Sequence, residues 1–194
     1  MEKIKISKKR VKIGAVISVF LIVIIFFFIY SSKDNQSNGQ FEAGSAEKFA
    51  VLSSAGTSLC SGPSFIDAKE NTDRLQGSCC SKMNFHRYEE QVEGLKKFKD
   101  IDKIPSDPYD IPVVLARELL DYQKNIVLTQ EQQNIYDNAV KLSHEGGPCC
   151  CKCWRWYAFE GLAKYLITEY DFNAEQIAEI WDLEDGCGGT GHEH

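Results

Sequence analysis

HEGGPCCCKCWRWYAFEGLAKYL, running from His144 to Leu166, carries both the helix pattern and the chemistry of this chain. Gly146-Gly147-Pro148 is a break: glycine closes helices and proline suits a first helical turn. One helix therefore stops before it and another starts after it. Downstream, Phe159, Leu162 and Leu166 recur at the spacing of an amphipathic helix. Between break and stripe stand Cys149, Cys150, Cys151 and Cys153, four thiols within five residues.

The same stripe recurs on either side. Phe85, Tyr88, Val92 and Leu95 make one helix face; Leu115, Leu119, Tyr122 and Ile126 a second; Ile135, Ala139 and Leu142 a third. Ile177, Ile180 and Trp181 make a last, shorter one. Thr129 with Gln132 can form a capping box, and Asn173 is a good N-cap. Pro105, Pro108 and Pro112 punctuate the link between the first two stripes, and Gly186 stops the last helix. No run alternates with period two, and no repeat at fixed period is present. Residues 49–78, with a short apolar piece from Phe49 to Leu52, read as mostly loop. The expectation is an all-α domain over residues 49–194 with about five helices.

Upstream the composition changes. Lys3, Lys5, Lys8, Lys9, Arg10 and Lys12 precede Ile13 to Tyr30, which holds no charge. At about 1.5 Å of rise per residue, such a stretch roughly crosses a ~30 Å hydrocarbon core. Basic residues before the span place residues 1–12 in the cytoplasm and 31–194 outside. The rival reading is a cleaved signal peptide, but the run is long and ends in bulky Phe27, Phe28, Ile29 and Tyr30. The expectation is a single-pass signal-anchor at the cell membrane, followed by a polar, Ser-, Asn- and Gly-rich spacer over 31–48. Beyond the span stand sixteen basic and twenty-seven acidic residues, a net charge of −11. That balance argues against a nucleic-acid partner.

All eight cysteines lie beyond the span: Cys60, Cys79, Cys80, Cys149, Cys150, Cys151, Cys153 and Cys187. At a helix start, positive potential and free N–H groups favour thiolates. Cys150 and Cys153 share one face of the opening turn, and the close spacing lets sulfurs converge on a soft ion. A second cluster, Cys79-Cys80-Ser81-Lys82-Met83-Asn84-Phe85-His86, also precedes a helix. Its thiolates, the Met83 thioether and the His86 imidazole are donors for Cu(I) or Hg(II). Met83 could equally fill a core and His86 be an ordinary helix histidine. The tail adds Cys187 with His192 and His194. Trp154, Trp156, Tyr157 and Phe159 could form a dry collar, and His144 a helix C-cap.

Pro148, Cys149, Cys151 and Cys153, preceded by Tyr136-Asp-Asn-Ala139, form a P-C-x-C-x-C frame that resembles the PCYCGC-motif proteins. Those are exported or membrane-associated bacterial proteins of unknown function. The resemblance covers about twenty residues. It departs at Cys150 and Lys152, and downstream, where the family's Gly-His-rich continuation is missing. It implies an exported, metal-handling protein and no known reaction.

Three functions follow from these residues. The first is capture, storage or transfer of a soft metal, copper as Cu(I) first and zinc second. Its ligands would be Cys149, Cys150, Cys151 and Cys153, with Cys79, Cys80 and Cys187 as partners, and a metal transporter or other membrane protein would exchange the ion. The second is a thiol–disulfide oxidoreductase using Cys150 and Cys153, although such enzymes set the motif after a strand. The third is a module stapled by four disulfides: four clustered cysteines against Cys60, Cys79, Cys80 and Cys187. No phosphate loop, nucleophile elbow, HExxH or dinucleotide fingerprint is present, and acidic pairs such as Glu89-Glu90 read as solvated helix faces. An enzyme is the less favoured class.

Overall fold

The computed structural model describes residues 41–188. The expected span over 13–30 and the tail histidines lie outside them. Among the described residues, no helix is long and apolar enough to cross a membrane. The described residues form seven α-helices and one pair of short strands.

The helices are α1 (Ala46–Ser54), α2 (Ser64–Asp67), α3 (Phe85–Leu95), α4 (Val113–Asn125), α5 (Gln130–Leu142), α6 (Trp154–Glu169) and α7 (Ala174–Leu183). Strands β1 (Arg74–Gln76) and β2 (Asp110–Pro112) pair antiparallel, with Leu75 opposite Ile111. The all-α, five-helix expectation is therefore corrected. Each strand is three residues long, too short to show period-two alternation. Leu75 and Ile111 are both fully buried, so the pair is held by tertiary packing rather than by local pattern. The stretch read as mostly loop holds α2, β1 and most of α1, and α1 begins at Ala46, inside the polar stretch read as spacer. Ser45 caps it, its hydroxyl accepting from the Lys48 N–H.

Local signals account for most helix starts. Thr129–Gln132 and Asn173–Gln176 form reciprocal capping boxes, each satisfying donors that a helix end leaves unpaired. The Asn84 side chain caps α3. Pro112 sits at the N-cap of α4 while ending β2.

The core lies between α4 and α6. Leu119, Phe159, Leu162 and Leu166 are all fully buried, and α7 adds Ile177, Ile180 and Trp181. Gly161 allows the close approach: a Cβ there would lie 1.9 Å from the Leu119 carbonyl oxygen. The indole N–H of Trp181 donates to the Phe159 carbonyl at 3.1 Å, tying α7 to α6. A second cluster of Leu52, Tyr88, Val92 and Tyr109 joins α1 to α3. At the start of β2, Asp110 accepts from Lys48, from Arg74 Nε at 2.5 Å and from Gln76 Nε2 at 3.1 Å.

Candidate metal centre

Helix α6 does not begin at the cysteines. It begins at Trp154, with Cys153 at the N-cap and no side-chain cap. Cys149–Cys151 therefore lie in a loop before the helix, and the expectation that Cys150 and Cys153 share its first turn is corrected. Gly146 and Gly147 have φ of 66° and 148°, so the chain turns there rather than entering a helix at once.

Four loops meet at this point, and backbone hydrogen bonds hold them. Trp154 N–H donates to the Ser61 carbonyl at 2.7 Å, which fixes Cys60 beside the start of α6. Cys79 N–H donates to the Gly186 carbonyl at 3.1 Å, and Ser81 N–H to the Cys187 carbonyl at 2.8 Å. The Ser81 hydroxyl donates to the same Cys187 carbonyl at 2.9 Å. Residues far apart in the chain thus present their thiols to one small volume.

All eight cysteines cluster there. Sulfur separations are 3.4 Å for Cys149–Cys187, 3.0 Å for Cys150–Cys187, 4.0 Å for Cys79–Cys187 and 3.8 Å for Cys80–Cys150. Cys79 and Cys80 lie 3.7 Å apart, and Cys60 and Cys151 2.9 Å apart. A disulfide bond measures about 2.05 Å. Two thiolates on one tetrahedral ion, each at about 2.3 Å, stand about 3.8 Å apart. Three of these six separations lie close to the second value and none reaches the first, and the thiols could hold a metal ion. The sulfurs fall into four sets of three, each set within 4.8 Å: Cys60, Cys80 and Cys151; Cys79, Cys149 and Cys187; Cys80, Cys150 and Cys187; Cys149, Cys151 and Cys153. No set contains both Cys150 and Cys153, so the expected dithiol pair is split.

The electrostatics favour thiolate at the centre. S–H groups of Cys153, Cys187 and Cys79 donate towards Cys149 and hold its pKa well below the ordinary thiol value, against burial. Cys79 and Cys187 move up, first through the same bonds to Cys149. Burial pushes Cys150 up to about 12 and raises Cys151 as well. Two residues beyond Cys153, Arg155 is wholly buried. Its Nη1 donates to the Glu184 carbonyl at 3.0 Å and its Nη2 to the Pro108 carbonyl at 2.7 Å, while its Nε has no hydrogen-bond partner. Burial alone would lower its pKa, but the charges of Cys79, Cys149, Glu184 and Asp185 together more than offset that. Burial holds the Glu184 carboxyl well above its usual range, against the pull of the Arg155 charge. Gly186 makes room: a Cβ there would lie 2.3 Å from Arg155 Cζ.

Two expected ligands stand elsewhere. Met83 packs against Leu52, Tyr88, Val92 and Tyr109. His86 is exposed and pairs with Glu90 at 3.3 Å, one turn along α3. His86 belongs to none of the thiol sets. Trp156 does pack on the cysteines, with the Lys152 ammonium over its ring, whereas Trp154 and Phe159 belong to the core. His144 lies near Asp182, its N–H donating to that carboxylate at 2.9 Å, and Ser143 takes the C-cap. The residue that sequence reasoning left out of the ligand set is Cys60; its one signal was membership of the even set of eight. No family model, no curated protein and no solved structure matches the chain.

Proposed function

We propose that this protein binds copper as Cu(I), with zinc as the second choice, and serves to capture, store or transfer the ion. The observation that carries the reading is the convergence of thiols from four separate loops on one volume, at the spacing of metal-bound sulfur. Thiolates select soft ions, and the sets contain three sulfurs each, enough to fill the coordination plane of Cu(I) but one short of a structural zinc site. Cys60 and Cys80, both exposed, form one open corner. An open corner supports exchange with a partner, whereas a closed thiolate shell would support permanent structure. Catalysis is not part of this reading.

The address in this proposal comes from the sequence alone. The basic residues before 13–30 and the resemblance around Pro148–Cys153 support a place on the outer face of the cell membrane, where a metal transporter or another membrane protein would exchange the ion. Thiols outside the cytoplasm persist best with metal bound.

A second reading is favoured by the two tightest pairs, Cys60–Cys151 and Cys150–Cys187, at 2.9 and 3.0 Å: oxidation of the metal-free protein to disulfides. Thiol counting with elemental analysis, on the whole chain purified without oxygen, separates the two. The metal reading expects reactive thiols with copper retained stoichiometrically, lost when Cys149, Cys150, Cys151 and Cys153 are changed to serine. No free thiol and no metal would sink it.

A further inference from the structure

The four thiol sets are not independent. Cys80 belongs to two of them, and so do Cys151, Cys149 and Cys187. Cys60, Cys79, Cys150 and Cys153 each belong to one alone. Every set therefore contains two shared sulfurs and one private sulfur. Following the shared sulfurs leads from the Cys60 set through Cys80 to the Cys150 set, through Cys187 to the Cys79 set, through Cys149 to the Cys153 set, and through Cys151 back to the start. The sets close into a ring.

We propose that the eight cysteines build one four-copper cluster, in which Cys80, Cys149, Cys151 and Cys187 each bridge two Cu(I) ions and Cys60, Cys79, Cys150 and Cys153 each cap one. This rests on the reading above and makes it specific: the ligand is a cluster rather than a lone ion. A thiolate sulfur has lone pairs enough to bridge two soft ions, and a bridge gives each ion three sulfurs from a pool of only eight. Without sharing, eight sulfurs could complete no more than two such sites.

The balance is simple. Copper arrives as Cu(I) and stays Cu(I). Each thiol gives up its proton to solvent and its sulfur forms one or two Cu–S bonds. Eight thiolates and four Cu(I) leave four negative charges. The buried Arg155 guanidinium, two residues beyond Cys153 and with its Nε–H unpartnered among the described residues, offsets one of them. A buried guanidinium without an ion-pair partner among the described residues is a costly arrangement unless negative charge lies close by.

The test is anaerobic titration of the whole chain with Cu(I) as its acetonitrile complex, followed by elemental analysis after gel filtration and X-ray absorption at the copper edge. Four coppers per chain, sulfur-only ligation and a short copper–copper vector are expected. Two exposed cysteines of the same set make the discriminating variants, since neither supports the core. Cys80→Ser should lose two of the four ions, because it removes a bridge, and Cys60→Ser at most one. Fewer than four ions at saturation, no copper–copper vector, or equal losses in the two variants would overturn the cluster while a retained ion left the metal reading standing. A chain that retains no copper would overturn both.

Discussion

Around α4 and α6 the chain buries Leu119, Phe159, Leu162 and Leu166 against one another; before α6 it buries sulfur, with Cys149, Cys153 and Cys187 packed together under Trp156. The first region is made of helices whose side chains gain simply by leaving water. The second is made of loops. They are held by a few backbone hydrogen bonds around groups that gain most when something binds them. The core should therefore be stable alone, and the thiol region should tighten on loading. The two regions alternate along the chain, and they meet at Cys153, the residue that ends the loop and stands at the N-cap of α6.

The contrast can be broken from the core side first. Phe159→Ala removes a fully buried ring and should cost about 3–5 kcal/mol in urea unfolding, through lost transfer energy and the cavity left behind. Gly161→Ala puts a methyl into the Leu119 carbonyl and should cost about 1–3 kcal/mol by overpacking. If either variant unfolds at the same urea concentration as the parent, the α4–α6 contact does not hold the fold.

From the thiol side, loading should add stability without altering the core. An ion at a hundred times its dissociation constant adds about 2.7 kcal/mol per independent site, which thermal unfolding with and without Cu(I) would show. Unchanged unfolding would mean that the loops do not bind it.

A smaller effect separates the two regions by pH. Burial pushes the Asp110 carboxyl up, but hydrogen bonds from Arg74 and Lys48 outweigh it and hold the pKa below its ordinary value. A lowered carboxyl contributes stability that is complete above the unfolded value of about 3.9 and fades as pH falls through the folded one. Asp110→Asn should therefore flatten the acid limb of the stability profile below about pH 4. A limb of unchanged steepness would remove Asp110 from the account. The smallest effect expected is at His86, where His86→Ala should leave copper stoichiometry unchanged and move stability by no more than about 0.5 kcal/mol. Loss of an ion there would restore the histidine to the ligand set.

What could be read from the sequence was what is local. Thr129–Gln132 and Asn173–Gln176 cap their helices because the partners are three residues apart. The Phe159–Leu162–Leu166 stripe is buried as its spacing requires. Leu142 lies on an equally regular stripe and is half exposed, while α5 meets the core through Ala139, Ile135, Tyr136 and Val140. The β-pair joins residues nearly forty apart and leaves no pattern in either. Met83 and His86 have donor chemistry and helical spacing, but Met83 precedes the helix and packs on the cluster of Leu52 and Tyr109, and His86 is exposed beside Glu90. Cys60 meets Cys151 across ninety-one residues of chain, a contact that no spacing rule reaches. Thiol identity was legible, and thiol partnership was not.

The most direct test of the central claim, that the thiol region is a soft-metal site carried by an independent helical core, is hydrogen exchange on the whole chain with and without Cu(I), kept reduced. The account predicts slower exchange in the loops around residues 58–61, 78–82, 149–153 and 185–188, with α4 and α6 unchanged. No protection in those loops, or protection spread evenly over the helices, would contradict it.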